Sequence, residues 1–419
     1  MFWWIRSKSF VGFLQANSTS EAKPVYLFGI RVEFSKMKRF MTDGIAVGLK
    51  CAIVSTVTMF GVAHGQSSSG LRDAAAKRHF TLGTAVQVGF LRDDIDGGKY
   101  ASTVASEFNL VELENDLKPP SVWMGPTEYK FTDVDWMLGA PHETGWAQKH
   151  NVRLRGHVLV YARDDGYTLP GWLRSTEAQI TKEQATKLLH DYIHALVGRY
   201  RGKIAMWDVA NEAIDDNPNS RPFNLRDSFW FRKLGPEFLV LAFKWAHEAD
   251  PKAELYYNEY SVEWGGTKAG HLLDLVKWLK EQHAPITGVG LQYHIDCHTV
   301  VAPGDGRYQL VKDLEKLRLA FMITELDVAM PVTTLPRSDP HYGTVAQNPA
   351  DLDAQAKVYD DVFKLALSSK NCHGLNIWGF SDLHSWISQF SRGKGAALLF
   401  DADYHPKPAY TSVKEVLER

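Results

Sequence analysis

Cysteine is scarce in this chain, with only Cys51, Cys297 and Cys372 in 419 residues. So few thiols exclude a disulfide-stapled fold and a zinc site built on cysteine. An excess of either charge is missing too: 47 basic side chains face 49 acidic ones, a formal net charge of −2. A nucleic-acid binder would show a strong basic excess, so that class of partner is excluded. The apolar run Ile45 to Val62 is interrupted by Lys50 and is too short to span a bilayer comfortably, so no membrane span is expected. After the first apolar strand, Gln87-Val88-Gly89-Phe90 offers no Gly-rich phosphate turn, which argues against an open doubly wound nucleotide-binding sheet. Thr84-Ala85-Val86-Gln87 also lacks the His-x-His of a metal-dependent barrel hydrolase. Neither a metal nor a cofactor is therefore expected. No internal repeat or Ser/Pro-rich linker divides the chain. Aromatic residues are plentiful, with 13 tryptophans, and on their own they suit a large core slightly better than a sugar site.

Residues 1–65 differ from the rest. Lys36, Lys38 and Arg39 precede the apolar run, which ends in Ala63-His64-Gly65 before a polar Gln66-Ser67-Ser68-Ser69. A basic flank, an apolar stretch and a small-residue exit predict a secretory signal peptide cleaved after Gly65, with upstream sequence before it. The product would be secreted, to the cell exterior or the periplasm. Residues 66–419 keep 39 basic and 46 acidic groups, a formal charge of −7 that suits a soluble protein.

From Leu71 onward, short apolar runs alternate with longer helical patterns. The runs are Thr81 to Val88, Leu110 to Leu113, Val152 to His157, Ile204 to Ala210, Glu254 to Asn258, Gly288 to His294, Phe321 to Leu326 and Gly374 to Phe380. Between them lie amphipathic segments such as Lys182 to Tyr200, Phe238 to Ala249, Lys268 to His283, Tyr308 to Leu317 and Asp351 to Ser368. Leu272, Leu275, Val276 and Leu279 fall at helical spacing. Eight strands alternating with helices predict an α/β fold, a parallel (β/α)8 barrel forming one domain over 66–419. Cys297 and Cys372 would then lie at opposite ends of the barrel, too far apart to bridge.

In such a barrel the reacting groups stand at the carboxyl ends of the strands. Those ends here carry Glu114, Asn115 and Lys118; Arg155 and His157; Trp207 to Glu212; Tyr257 to Tyr260; Gln292 and His294; Thr324 to Asp327; and Trp378 to Asp382, with Trp386 beyond. Any one has a bland explanation, a glutamate as a solvated loop residue or a tryptophan as a cap on the core. Their convergence on one rim favours function. Glu212 and Glu325, on strands four and seven, would face each other across the mouth. Two such carboxylates suit cleavage of an acetal, one protonating the leaving oxygen and the other attacking the anomeric carbon.

Taken in order, these residues resemble glycoside hydrolase family 10, the retaining endo-β-1,4-xylanases, over residues 75 to 415. Trp207 to Glu212 is similar to that family's acid/base motif, and Thr324-Glu325-Leu326-Asp327 to its nucleophile motif. The resemblance implies that Glu212 is the general acid/base and Glu325 the nucleophile. His294 would hydrogen-bond the nucleophile, and Asn211 would hold the 2-hydroxyl of the reacting sugar. Glu114, Asn115 and Lys118 would grip sugars on the non-reducing side, with His157 and Gln292 at further sugar-binding positions. Trp378 and Trp386 would wall the cleft. Pro406-Lys407-Pro408-Ala409-Tyr410 resembles the family's entry into its last helix. The implied substrate is xylan, cut internally by a monomeric enzyme.

One stretch departs. After His157 the family usually runs Trp-His-Ser-Gln and then Pro-x-Trp. Here Tyr161, Ala162, Arg163 and Asp164 stand in the first four places, and Asp165 to Thr168 are extra before Leu169-Pro170-Gly171-Trp172. The expectation is an imidazole lost near the carboxylates at Ala162 and an altered sugar-side wall at Tyr161. Two alternatives follow: a related retaining hydrolase acting on another β-glycan or a plant β-glycoside, and, further off, a sugar-binding barrel without activity.

Overall fold

In a computed structural model of the chain, residues 70–419 are described, together with an antiparallel pairing of Tyr26–Leu27 with Ile30–Arg31. The remainder of the expected leader, with its apolar run and cleavage site, lies outside the described residues.

Eight parallel strands close into a ring: β1 (Leu82–Val86), β2 (Leu110–Leu113), β3 (Arg153–Gly156), β4 (Met206–Asn211), β5 (Glu254–Glu259), β6 (Gly288–Leu291), β7 (Ala320–Pro331) and β8 (Cys372–Ile377). Each pairs with the next, and β8 returns to β1 with Leu375 opposite Leu82. A helix follows each strand: α1 (Lys99–Glu107), α2 (Thr132–Leu138), α3 (Lys182–Arg199), α4 (Glu237–Ala249), α5 (Gly266–Glu281), α6 (Gly306–Lys316), α7 (Ala350–Leu367) and α8 (Pro408–Glu418). The (β/α)8 barrel read from the alternation is thus the fold.

The helices form where periodicity and caps agree. In α5 the buried side chains are Ala269, Leu272, Leu275, Val276 and Leu279, the stripe that the spacing predicts. Thr181 starts α3 with a capping box: its hydroxyl accepts from Gln184 N at 3.2 Å, and its own N–H donates to Gln184 Oε1 at 2.9 Å. Pro408 stands in the first turn of α8, where a missing N–H costs nothing. The main core lies between strands and helices, while Leu110, Met206, Tyr256, Ala320 and Met322 fill a second, smaller cluster.

Every strand but β2 departs from its sequence-based bounds at one end or both, and two of the departures shape the mouth. β7 runs five residues past Leu326, because Asp327–Ala329 pair with a short strand His294–Asp296 and Met330–Pro331 with Lys394–Gly395. β6 stops at Leu291, and the chain turns at Tyr293, where φ is +65°, before pairing resumes at His294. Cys297 lies just past that resumed pairing and Cys372 opens β8, and both thiols are free. Among the described residues, no helix is long and apolar enough to cross a membrane.

Candidate active site

Strand register builds the floor of the mouth. Glu112 on β2 lies opposite Arg155 on β3, and Gly156 opposite Trp207 on β4, which brings Asp208 beside His157. Arg155 Nη1 donates to both Glu112 oxygens at 3.0 Å, and Nη2 donates to Asp208. His157 Nδ1 lies 2.9 Å from Asp208 Oδ2. All four side chains are buried. Burial pushes the Glu112 carboxyl up, against the pull of Arg155 and His157. Glu112, His157 and Asp208 are close enough to share a cation, but the Arg155 guanidinium already supplies positive charge there.

Both expected glutamates sit at irregularities in their strands. The β4–β5 register slips between Tyr256 and Tyr257, so that Asp208 and Ala210 face consecutive partners and Val209 is extra. Glu212 then has φ +54°, a left-handed conformation that costs a non-glycine residue of order 1 kcal/mol. Ordinary alternation would send Asn211 and Glu212 to opposite faces; with this turn the Glu212 carboxylate lines the cleft while staying within reach of the buried Asn211 amide. The register of β7 against β8 also shifts between Ile323 and Leu326, flanking Glu325.

The surroundings of the two carboxylates differ. Glu325 Oε1 accepts from Asn258 Nδ2 at 2.7 Å, and Oε2 lies 3.2 Å from His294 Nε2. His294 Nδ1 is 2.8 Å from Asp327 Oδ2, which also accepts from Trp386 Nε1 at 2.9 Å. Burial works to raise the Glu325 carboxyl, yet the His294 hydrogen bond, the charges of His157 and His294 and the Asn258 amide together hold it at about 2. Burial would likewise depress His294, but Asp327 and Glu325 outweigh it and keep the imidazole well above its usual range. An ionised Glu325 clamped by an imidazolium is the result. Glu212 Oε1 accepts from Tyr161 Oη at 2.6 Å, Gln292 Nε2 at 3.1 Å and Asn211 Nδ2 at 3.3 Å, while Oε2 accepts from Arg163 Nη1 at 2.9 Å. An amide chain joins the two sides: Asn211 Oδ1 accepts from both Gln292 and Asn258, and Thr324 Oγ1 fixes the Asn258 amide at 2.7 Å. Gly290 leaves room for it, since a Cβ there would collide with Asn258 Oδ1 and Thr324 Cγ2.

A cleft of about 570 Å³ lies over these groups. It is lined by Glu114, Asn115, Lys118, His157, Glu212, Gln292, His294, Glu325, Trp378 and Trp386, ten of the eleven residues expected from sequence. Glu114 accepts from Gln87 and Asn115, and Lys118 donates to Asn115 Oδ1 at 3.0 Å. His157 and His294 each meet the Trp378 ring edge-on, so the tryptophan wall rests on the floor cluster and on the Glu325 clamp. The eleventh residue, Asn211, is fully buried behind Glu212 with its amide engaged as described. Asn258, which links the two sides, was visible at the end of strand five but carried no distinguishing signal there.

The departing loop is where expectation and structure part. Ala162 is wholly buried in the core and faces away from the carboxylates, because successive residues of the short strand Val160–Tyr161 and its continuation alternate faces. Tyr161 and Arg163, on the other side, touch Glu212 directly, so they stand among the reacting groups and not merely in the wall. Asp164 turns outward, accepting from Phe229 N and pairing with Arg232 at 2.7 Å.

A parallel barrel with two buried carboxylates facing one aromatic-walled cleft has the make-up of a glycoside hydrolase. Comparison with known proteins agrees: the chain belongs to glycosyl hydrolase family 10, which it matches over residues 70–416. It is 32% identical to endo-1,4-beta-xylanase B of Thermotoga neapolitana, over 84% of this chain and 93% of that protein. It is 30% identical to endo-1,4-beta-xylanase 2 of Aureobasidium pullulans, over 90% and 98%. The crystal structure of xylanase 10B from Thermotoga petrophila RKU-1 in complex with xylobiose superimposes with a TM-score of 0.73 at 33% identity, covering 83% of this chain and 97% of that one.

Proposed function

We propose that this chain is a retaining endo-1,4-β-xylanase with Glu325 as nucleophile and Glu212 as general acid/base. The observation that carries the assignment is the contrast between the two carboxylates over one cleft. Glu325, held ionised by His294 and Asn258, is suited to attack the anomeric carbon. Glu212 then delivers a proton to the departing sugar oxygen, and in the second step takes one from the water that attacks the covalent glycosyl-enzyme. Glu114, Asn115 and Lys118 bind sugars on the non-reducing side, and Trp378 and Trp386 supply apolar faces beside the reacting ring. A monomeric enzyme is part of this reading. It is exported by the leader in residues 1–65, a role supported by the basic flank and apolar run of that segment. The names of the relatives support xylan as substrate. A second reading, another β-glycan or a decorated plant β-glycoside, is favoured by the inserted loop, whose exposed Tyr167 stands on the cleft wall.

Glu212→Ala tests the assignment. A sugar is a poor leaving group without a proton, whereas an activated phenol departs unaided. Turnover of xylan should fall about 10²–10⁴-fold, while an activated aryl glycoside still forms the covalent intermediate and azide rescues its breakdown as a β-glycosyl azide. Equal losses on both substrates with no azide product would remove Glu212 from the role.

A further inference from the structure

The departing stretch gives Glu212 a partner, Arg163, that is incompatible with proton delivery, and its inserted residues give Arg163 a second partner, Asp165, within reach. Oε1 of Glu212 is already faced by Asn211, Gln292 and Tyr161, so a proton bound for the leaving oxygen has to depart from Oε2. Arg163 Nη1 lies 2.9 Å from Oε2. A guanidinium has hydrogens to offer and no lone pair to accept one, and here it stands where the leaving oxygen must come. Nothing fixes it there rigidly. The Arg163 side chain is 43% exposed, and its backbone is pinned independently by Thr168 Oγ1 donating to Arg163 O at 2.9 Å. Asp165, two residues on, has one oxygen engaged by Tyr167 N at 2.9 Å and turns the other towards Arg163 Nε at 3.9 Å. Thr168 and Leu169 hold the Asp165 carbonyl, so this acceptor is as fixed as the loop itself. Arg226, whose Nε donates to Glu212 O at 2.9 Å, also places a like charge close by.

We infer that Arg163 is a two-position latch on the acid/base: it closes on Glu212 in the empty cleft and passes to Asp165 when a glycan enters. This rests on Glu212 being the acid/base. Arg163 is a positioning residue in that scheme, acting on the substrate only through Glu212. Binding of the sugar that will leave has to part the Arg163–Glu212 pair, and the Arg163–Asp165 pair offsets part of that cost. The latch therefore slows substrates that need a proton on the leaving oxygen more than substrates that do not.

The test measures kcat/KM, which counts from free enzyme and so includes the opening of the latch, for a xylo-oligosaccharide and for dinitrophenyl β-xylobioside on the same preparations of wild type, Arg163→Ser and Asp165→Asn. Any loss of folded protein cancels from the ratio of the two rates. Arg163→Ser should raise the oligosaccharide-to-aryl ratio about fivefold, the effect of removing one half-exposed ion pair. Asp165→Asn, which removes the alternative partner, should lower the ratio. A ratio that is unmoved or lower in Arg163→Ser, or unmoved or higher in Asp165→Asn, overturns the latch. Such a result beside a Glu212→Ala variant that behaves as an acid/base variant condemns the latch alone; failure of the Glu212→Ala test condemns the assignment beneath it.

Discussion

Replacing His294 by alanine strips the Glu325 carboxylate of the first and third of the influences that hold it down, the imidazole's hydrogen bond and its charge. Burial, the largest influence and an opposing one, is then resisted mainly by the charge of His157 and the Asn258 amide. The carboxyl should climb from about 2 towards or beyond its ordinary value of 4.5. For a side chain that is 5% exposed, that climb corresponds to about 3 kcal/mol of lost preference for the charged form. Only ionised Glu325 can attack, so the acid limb of kcat/KM moves from below the usual assay range to pH 4 or higher. An activated aryl glycoside is the substrate to use, because its departure makes little demand on Glu212. Stability carries the same signature. A carboxylate whose folded value is depressed stabilises the protein fully above its unfolded value of about 4.5, and that stability is lost as pH falls through the folded value. Wild type therefore loses about 3 kcal/mol from this group between pH 4.5 and 2. His294→Ala should start less stable at neutral pH, with the buried Asp327 left only its Trp386 hydrogen bond, and lose less over that window. An acid limb in His294→Ala that superimposes on the wild-type limb refutes the role given to the Asp327–His294–Glu325 chain.

The remaining expectations concern the reaction's stereochemistry and the departing loop. Proton NMR of the first products from xylan should show the β anomer, and an α anomer appearing first would contradict a covalent intermediate on Glu325. Ala162→His, which restores the residue usual in the family, should lower stability by about 1–3 kcal/mol because the position is fully buried and closely packed. A melting temperature equal to wild type would show that the loop has room to turn this side chain into the cleft.

The sequence by itself determined the barrel and most of the rim. Eight apolar runs separated by helical stripes leave few alternatives to a closed parallel sheet, and α5 buries the residues that its spacing selects. Glu212, Glu325 and eight further residues that line the cleft were legible because strand ends converge on one face in this fold. Tertiary structure decided what acts on them. Glu112, Arg155 and Asp208 sit on three separate strands, and only the register between those strands makes them one buried cluster under His157. Asn258 looked like any polar residue at a strand end until the fold placed its amide between Asn211 and Glu325. The departing loop shows the same limit. Sequence could mark Tyr161 to Thr168 as unlike the family, yet the direction of each side chain depends on how the short strand at Val160–Tyr161 pairs with β4. That pairing buries Ala162 and turns Tyr161 and Arg163 onto Glu212, because neighbouring residues of an extended chain face opposite sides.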